Sequence, residues 1–194
     1  MTFEESGLRF SFAPNWVVKK YDEHPYFRAL SGNGLKGVDF IAIRDQRQLV
    51  FIEVKNYRTR HNAKLGASFD VSVKPAPELA YELKRKLEDT LLAMDAVLQY
   101  YHRSWWFRRL RRWWLRWPFL QHNRAFWTLA DSLVHQHLHY VAWLALDMDD
   151  PEDYEHQLHD ALNKYDLSVL DELSIVNGTE SVFGKEVTVE LLEE

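Results

Sequence analysis

The 194-residue chain contains no cysteine, which excludes both a disulfide framework and any thiolate-ligated metal. It also lacks a long hydrophobic run. No stretch approaches the roughly 18 uninterrupted apolar residues of a membrane span, and the N-terminal MTFEESGLRF has neither the basic start nor the apolar segment of a signal peptide. Cytoplasm is therefore the expected compartment. Internal repeats and low-complexity linkers are missing too. The composition is 46% hydrophobic and 14% aromatic, enough apolar material to build a core, so a largely disordered chain is excluded. The length suits one domain over 1–194, with room for an insertion.

An excess of positive charge is absent as well. With 24 basic and 29 acidic residues the chain carries −5, whereas nucleic-acid-binding proteins usually present a basic surface. That total conceals a division. Residues 1–95 carry +2, residues 96–130 carry seven arginines and no acid, and residues 131–194 carry −14. Arguments about partners must therefore be made segment by segment.

The hydrophobic pattern predicts a short strand where Leu8, Phe10 and Phe12 alternate with polar residues, then helix or mixed structure over 16–30. Two strands follow, 37–44 (GVDFIAIR) and 49–55 (LVFIEVK), joined by four polar residues as a hairpin. Leu79, Leu83, Leu87, Leu91, Met94, Leu98 and Tyr101 recur at helical spacing. A buried strand is expected over 140–146, a helix with Pro at its start over 151–164, and one or two short strands in the tail. The fold class is thus α/β, with a mixed central sheet flanked by helices.

The chemistry concentrates on the hairpin. Asp39 lies on its first strand, and Glu53 and Lys55 share one face of its second, because side chains alternate along a strand. Val50, Ile52 and Val54 occupy the opposite face and are expected to pack beneath a helix. Charges inside so apolar a strand are costly without pairing or a metal. Two carboxylates on adjacent strands can hold Mg2+ or Mn2+ through hard oxygen ligands. A bound metal activates water and neutralises charge at phosphorus, and a neighbouring ammonium orients that water. The alternative is a structural ion-pair cluster at a sheet edge.

Gly37-Val38-Asp39, thirteen intervening residues, then Glu53-Val54-Lys55 resembles the PD-(D/E)XK nuclease superfamily, the restriction-endonuclease-like fold. The resemblance spans residues 8–101 and, more loosely, the later strand and helix. It implies a magnesium-dependent deoxyribonuclease, an endonuclease, in which Asp39 and Glu53 bind the metal with the backbone carbonyl of Val54, and Lys55 is catalytic. Val38 stands where the family name carries proline, at a position we read as tolerant. The family's frequent acid on its first helix has two candidates, Asp22 and Glu23. A second E-x-K triplet, Glu82-Leu83-Lys84, falls on the predicted long helix, where a solvated face explains it.

After Lys55 the chain is cationic: Arg58, Arg60, His61 and Lys64 could follow a phosphate backbone, or simply decorate a surface loop. Residues 103–117 (RSWWFRRLRRWWLRW), within a helical insertion expected over 103–134, form a cationic amphipathic helix if helical. Docking on the core, with Arg paired to the acidic C-terminal third, competes with a nucleic-acid contact, a partner or dimer surface and an interfacial membrane helix. His135, His137 and His139 would face one way if extended, yet lack an obvious fourth ligand. The acids around Pro151 suit a turn and a helix start. DNA is the expected partner, with RNA a second candidate and a homodimer an open possibility. Two rival classes are a catalytically inactive nucleic-acid-binding protein of the same fold and a membrane-associated protein using 103–117. On the nuclease reading, the basic loop borders the carboxylates and the acidic third turns away.

Overall fold

The computed structural model describes residues 1–21, 23, 34–58, 60–62, 67–69, 71–102 and 123–192. In chain order its strands are Thr2–Glu5 (β1), Leu8–Phe12 (β2), Trp16–Lys20 (β3), Phe40–Arg44 (β4), Gln48–Asn56 (β5), Arg60–Asn62 (β6), Ala67–Phe69 (β7), Leu138–Ala145 (β8), Glu172–Asn177 (β9) and Val187–Leu191 (β10). The helices among the described residues are Ala76–His102 (α1), Asn123–Leu133 (α2) and Pro151–Leu162 (α3). The central sheet runs β3-β4-β5-β8-β9. Its first three strands form an antiparallel meander, and β8 and β9 join in parallel. A parallel neighbour requires a crossover, and α1 lies in the connection from β5 to β8. A second sheet, β1-β2-β10, is antiparallel, and β6 and β7 form a separate ribbon.

Strand β5 is covered on both faces, which explains its near-continuous apolar run. Leu49 and Phe51 pack with Leu79, Leu83 and Leu87 of α1. Val50, Ile52 and Val54 pack instead with Phe10, Phe12, Phe40 and Trp143, beneath the three-stranded sheet. This corrects the expectation that those residues lie under a helix. The alternating Leu8, Phe10 and Phe12 of β2 need an apolar partner and take that face, so the helices cover the side that carries Glu53. Phe40, fully buried between Phe10 and Phe3, contributes about 1.5–3 kcal/mol.

The 16–30 region begins as a strand rather than a helix. Trp16 and Val18 are buried in alternation, Trp16 against Phe12 and Phe183, so tertiary packing selects the two-residue period. Residues 22 and 24–33 fall outside the described residues. Of the stretch expected as an insertion, 103–122, including the Arg/Trp segment 103–117, also falls outside them. Residues 123–133 form α2, which buries Phe126, Trp127, Ala130 and Leu133 in the core. Helix α3 starts at Pro151 as expected, capped by Asp150, whose carboxylate accepts from the Asp153 N–H at 3.0 Å.

Glu186 pins the C-terminal strand to the sheet. Its carboxylate accepts from Arg44 Nε at 2.7 Å, Arg44 Nη2 at 3.0 Å and Trp16 Nε1 at 3.1 Å. The Arg44 hydrogen bond, then that of Trp16, draws its pKa down to about 2 from 4.5. The folded pKa lies below the unfolded one, so this contribution is present above pH 4.5 and is lost as pH falls toward 2. Urea midpoints measured from pH 6 to pH 3 should fall for the wild type and fall less steeply for Glu186→Gln. Equal slopes would remove Glu186 from the acid response.

Candidate active site

The geometry of the site begins at the entry to β4. Asp39 N–H donates to the Ile52 carbonyl at 3.1 Å, and the Asp39 carbonyl accepts from Tyr21 N–H at 2.7 Å, which fixes the backbone. One residue earlier, Val38 N–H donates to Thr90 Oγ1 at 3.0 Å. Thr90 is fully buried on α1, and its hydroxyl donates to the Lys86 carbonyl at 2.6 Å. Thr90 therefore ties the segment carrying Asp39 to the helical turn carrying Lys86.

The side chains of Asp39, Glu53 and Lys55 converge as their spacing implied, and Lys86 joins them. Asp39 Oδ2 accepts from Val54 N–H at 2.7 Å. Glu53 is fully buried, and its Oε1 lies 2.8 Å from Lys55 Nζ and 2.5 Å from Lys86 Nζ. Lys86 Nζ also stands 3.9 Å from Asp39 Oδ1, so this ammonium bridges the two carboxylates. The other oxygen, Glu53 Oε2, is buried and has no hydrogen-bond partner among the described residues. Beneath the site, the buried Tyr140 hydroxyl donates to the Leu83 carbonyl at 3.3 Å.

The electrostatics follow from burial and like charge. Loss of solvent, then the adjacent Glu53 carboxylate, raises the Asp39 pKa to about 7 from 3.8, against the opposing pull of Lys86 and the Val54 N–H. Glu5, at the end of β1, adds to the rise. Burial pulls the Lys55 ammonium down, but attraction and hydrogen bonding to Glu53 outweigh it, so its pKa rises and the group stays charged.

Lys55 and Lys86 line a cleft of about 410 Å3, together with Lys36, Lys74, Tyr81 and Arg85. Glu78 and Glu82 also face it, and Glu82 is paired with Lys74. The second E-x-K triplet is thus divided between separate ion pairs, Glu82 with Lys74 and Lys84 with Glu88 at 2.8 Å.

Arg58 follows the end of β5, its N–H donating to Asn56 Oδ1 at 2.9 Å, and Arg60 opens the β6–β7 ribbon. Lys64 and Asp22 fall outside the described residues. Glu23 pairs with Lys20 at 2.9 Å, and Lys20 also holds Glu5 at 3.1 Å. His135 and His137 are exposed in the turn before β8. His139 alone is buried, with Nε2 2.9 Å from Ser174 Oγ and Nδ1 3.3 Å from Glu172. Because β8 runs parallel to β5, with Ala145 opposite Asn56, the acidic run after β8 leaves the sheet at the same end as Lys55. Acidity is therefore not confined to the far side.

Sequence reasoning missed Lys86. It stands one residue before the buried Leu87, and Thr90 follows four residues later. A charged residue flanking an apolar stripe was the available signal.

Among the described residues no group of three or more acidic or histidine side chains gathers as a metal cage. Mg2+ and Mn2+ do not require one, since one or two carboxylates with waters and substrate phosphate suffice for Mg2+. The donor set fits such an ion: two acids are aimed at a shared cation, and a buried carboxylate oxygen has no hydrogen-bond partner among the described residues. No described helix is long and apolar enough to cross a membrane. Comparison of the chain with protein-family profiles, curated proteins and solved structures finds no match.

Proposed function

We propose that this chain is a metal-dependent nuclease that hydrolyses phosphodiester bonds of DNA on a restriction-endonuclease-like core, working in the cytoplasm. The observation that carries the reading is the convergence of Asp39, Glu53 and Lys55, in which one Glu53 oxygen holds Lys55 and the other is buried with no hydrogen-bond partner among the described residues. The antiparallel meander β3-β4-β5, followed by a helical crossover to parallel β8, supports the core named by the hairpin motif.

Asp39 and Glu53 would hold Mg2+ or Mn2+. The Val54 carbonyl, on the β5 edge whose N–H serves Asp39, would add a third ligand. When bound, the ion supplies Lewis-acid neutralisation at phosphorus and a more acidic water. Lys55 remains protonated beside Glu53, so it donates rather than abstracts: it orients the attacking water and stabilises charge on the phosphoryl oxygens. The water oxygen bonds to phosphorus as one ester P–O bond breaks, a proton passes to solvent, and the departing oxygen takes up another. Arg58, Arg60 and Lys64 are the proposed contacts to the DNA backbone beyond the site.

Labelled DNA incubated with Mg2+, Mn2+ or EDTA tests this. Cleavage should require the metal, and Lys55→Ala should lower its rate by about a hundredfold or more, the scale of removing one electrostatic stabiliser. Intact DNA in every lane, or equal cleavage by the variant, overturns the reading. One observation favours an alternative, a nucleic-acid-binding protein of this fold without catalysis: Lys86 already supplies a cation to both acids. That protein would bind nucleic acid equally well with or without metal and would not cleave it.

A further inference from the structure

A cationic cleft lies beside the carboxylates, lined by Lys55 and Lys86. We infer that it binds a single strand of nucleic acid, with phosphates on Lys36, Lys74 and Arg85 and a base stacked on Tyr81. This rests on the nuclease reading for its purpose, though not for its geometry.

Charge is the first support. Lys55 and Lys86 are engaged with the buried Glu53, whereas Lys36, Arg85 and the Glu82-paired Lys74 are the cations among the described residues that lead away from the site. Lys36 and Arg85 are both exposed and lie around one acid, Asp89. Its Oδ2 accepts the Lys36 N–H at 2.9 Å and stands 3.8 Å from Arg85 Nε. Among the described residues five cations line the cleft against Glu78 and Glu82, and the Glu82–Lys74 pair takes one charge of each sign out of that balance. Such a surface tracks a polyanion.

The aromatic ring is the second support. Tyr81 is 52% exposed on the cleft wall, one helical turn before Arg85 and far more open than the tyrosines of the core. A ring among cations is the arrangement that grips single strands, because every unpaired base offers a face for stacking. In a duplex those faces are covered by neighbouring base pairs, and only phosphates and groove edges are presented.

Size is the third. About 410 Å3 lies at the small end of pockets that enclose a compact ligand, roughly 300–1,000 Å3, and suits a nucleotide unit rather than stacked pairs. The strand would thus run from Tyr81 over the cations to Lys55 and Lys86, placing a phosphodiester beside the ammonium groups that hold the buried Glu53.

Fluorescence anisotropy in EDTA tests this without cleavage. The probes are end-labelled twelve-residue oligodeoxyuridylate, oligouridylate of equal length, and a DNA duplex. Either single strand should bind about tenfold or more tightly than the duplex. The difference between the two reports whether the cleft distinguishes the sugar. Tyr81→Ala should weaken single-strand binding about five- to hundredfold, while Tyr81→Phe retains it. Arg85→Ala should reduce the salt slope by about 0.7. A duplex bound as tightly as the single strands, or unchanged binding by Tyr81→Ala, overturns the inference. Single-strand binding without Mn2+-dependent cleavage would keep the cleft and remove the nuclease. Metal-dependent cleavage that is indifferent to Tyr81 would do the reverse.

Discussion

Glu53→Gln should abolish metal-dependent cleavage, lowering the rate by about a thousandfold or more. Glu53 is fully buried, and the substitution removes the charge while preserving shape and volume. Loss of metal-based charge stabilisation amounts to several kcal/mol of barrier, and each 1.4 kcal/mol is a factor of ten. The same change leaves Lys55 and Lys86 without their shared carboxylate oxygen. Both ammonium groups retain some solvent access, so the stability cost should be about 1–3 kcal/mol rather than the full penalty of breaking a buried pair. Circular dichroism would establish that the variant is folded at the assay temperature, and Asp39→Asn provides a second loss of metal ligand. Folded variants that cleave at the wild-type rate would contradict the assignment of both acids.

Lys86→Met should separate the two meanings of this charge cluster. The ammonium stands 2.5 Å from Glu53 and 3.9 Å from Asp39, where it supplies positive charge to both acids. Without it, the metal-free protein faces two poorly compensated carboxylates, and it should lose about 3 kcal/mol of stability in EDTA. A divalent ion no longer competes with the lysine. Mn2+ should bind about tenfold or more tightly and raise the melting temperature of the variant by more than it raises that of the wild type. A purely structural ion-pair cluster gives another pattern: the variant is destabilised and Mn2+ restores nothing. The expected pair of results assigns Lys86 as a place-holding cation that yields to the metal.

The sequence made local relations legible and contact between distant elements much less so. Strand alternation alone put Glu53 and Lys55 on one face, and the hairpin put Asp39 beside them, as the 2.8 Å pair and the Val54 N–H bond to Asp39 now show. The stripe Leu79, Leu83, Leu87, Met94 and Leu98 announced α1, and Pro151 announced α3. Which layer covers which face of β5 was not legible, because both faces are apolar and pattern alone cannot say whether a sheet or a helix arrives. Lys86 escaped for the same reason: its place beside Asp39 depends on the crossover and on Thr90 receiving Val38 N–H. Trp16–Lys20 escaped because its burial is decided by Phe12 and Phe183, the latter far along the chain.

The central claim is that Asp39 and Glu53 form a metal site and not a closed salt-bridge cluster. Calorimetric titration of Mn2+ into the metal-free protein tests it most directly, performed at pH 8, where Asp39 with a pKa near 7 is ionised. Saturable binding by the wild type, lost in both Asp39→Asn and Glu53→Gln while each remains folded, is the expected result. No saturable heat from the wild type, or unchanged binding in both variants, would contradict it.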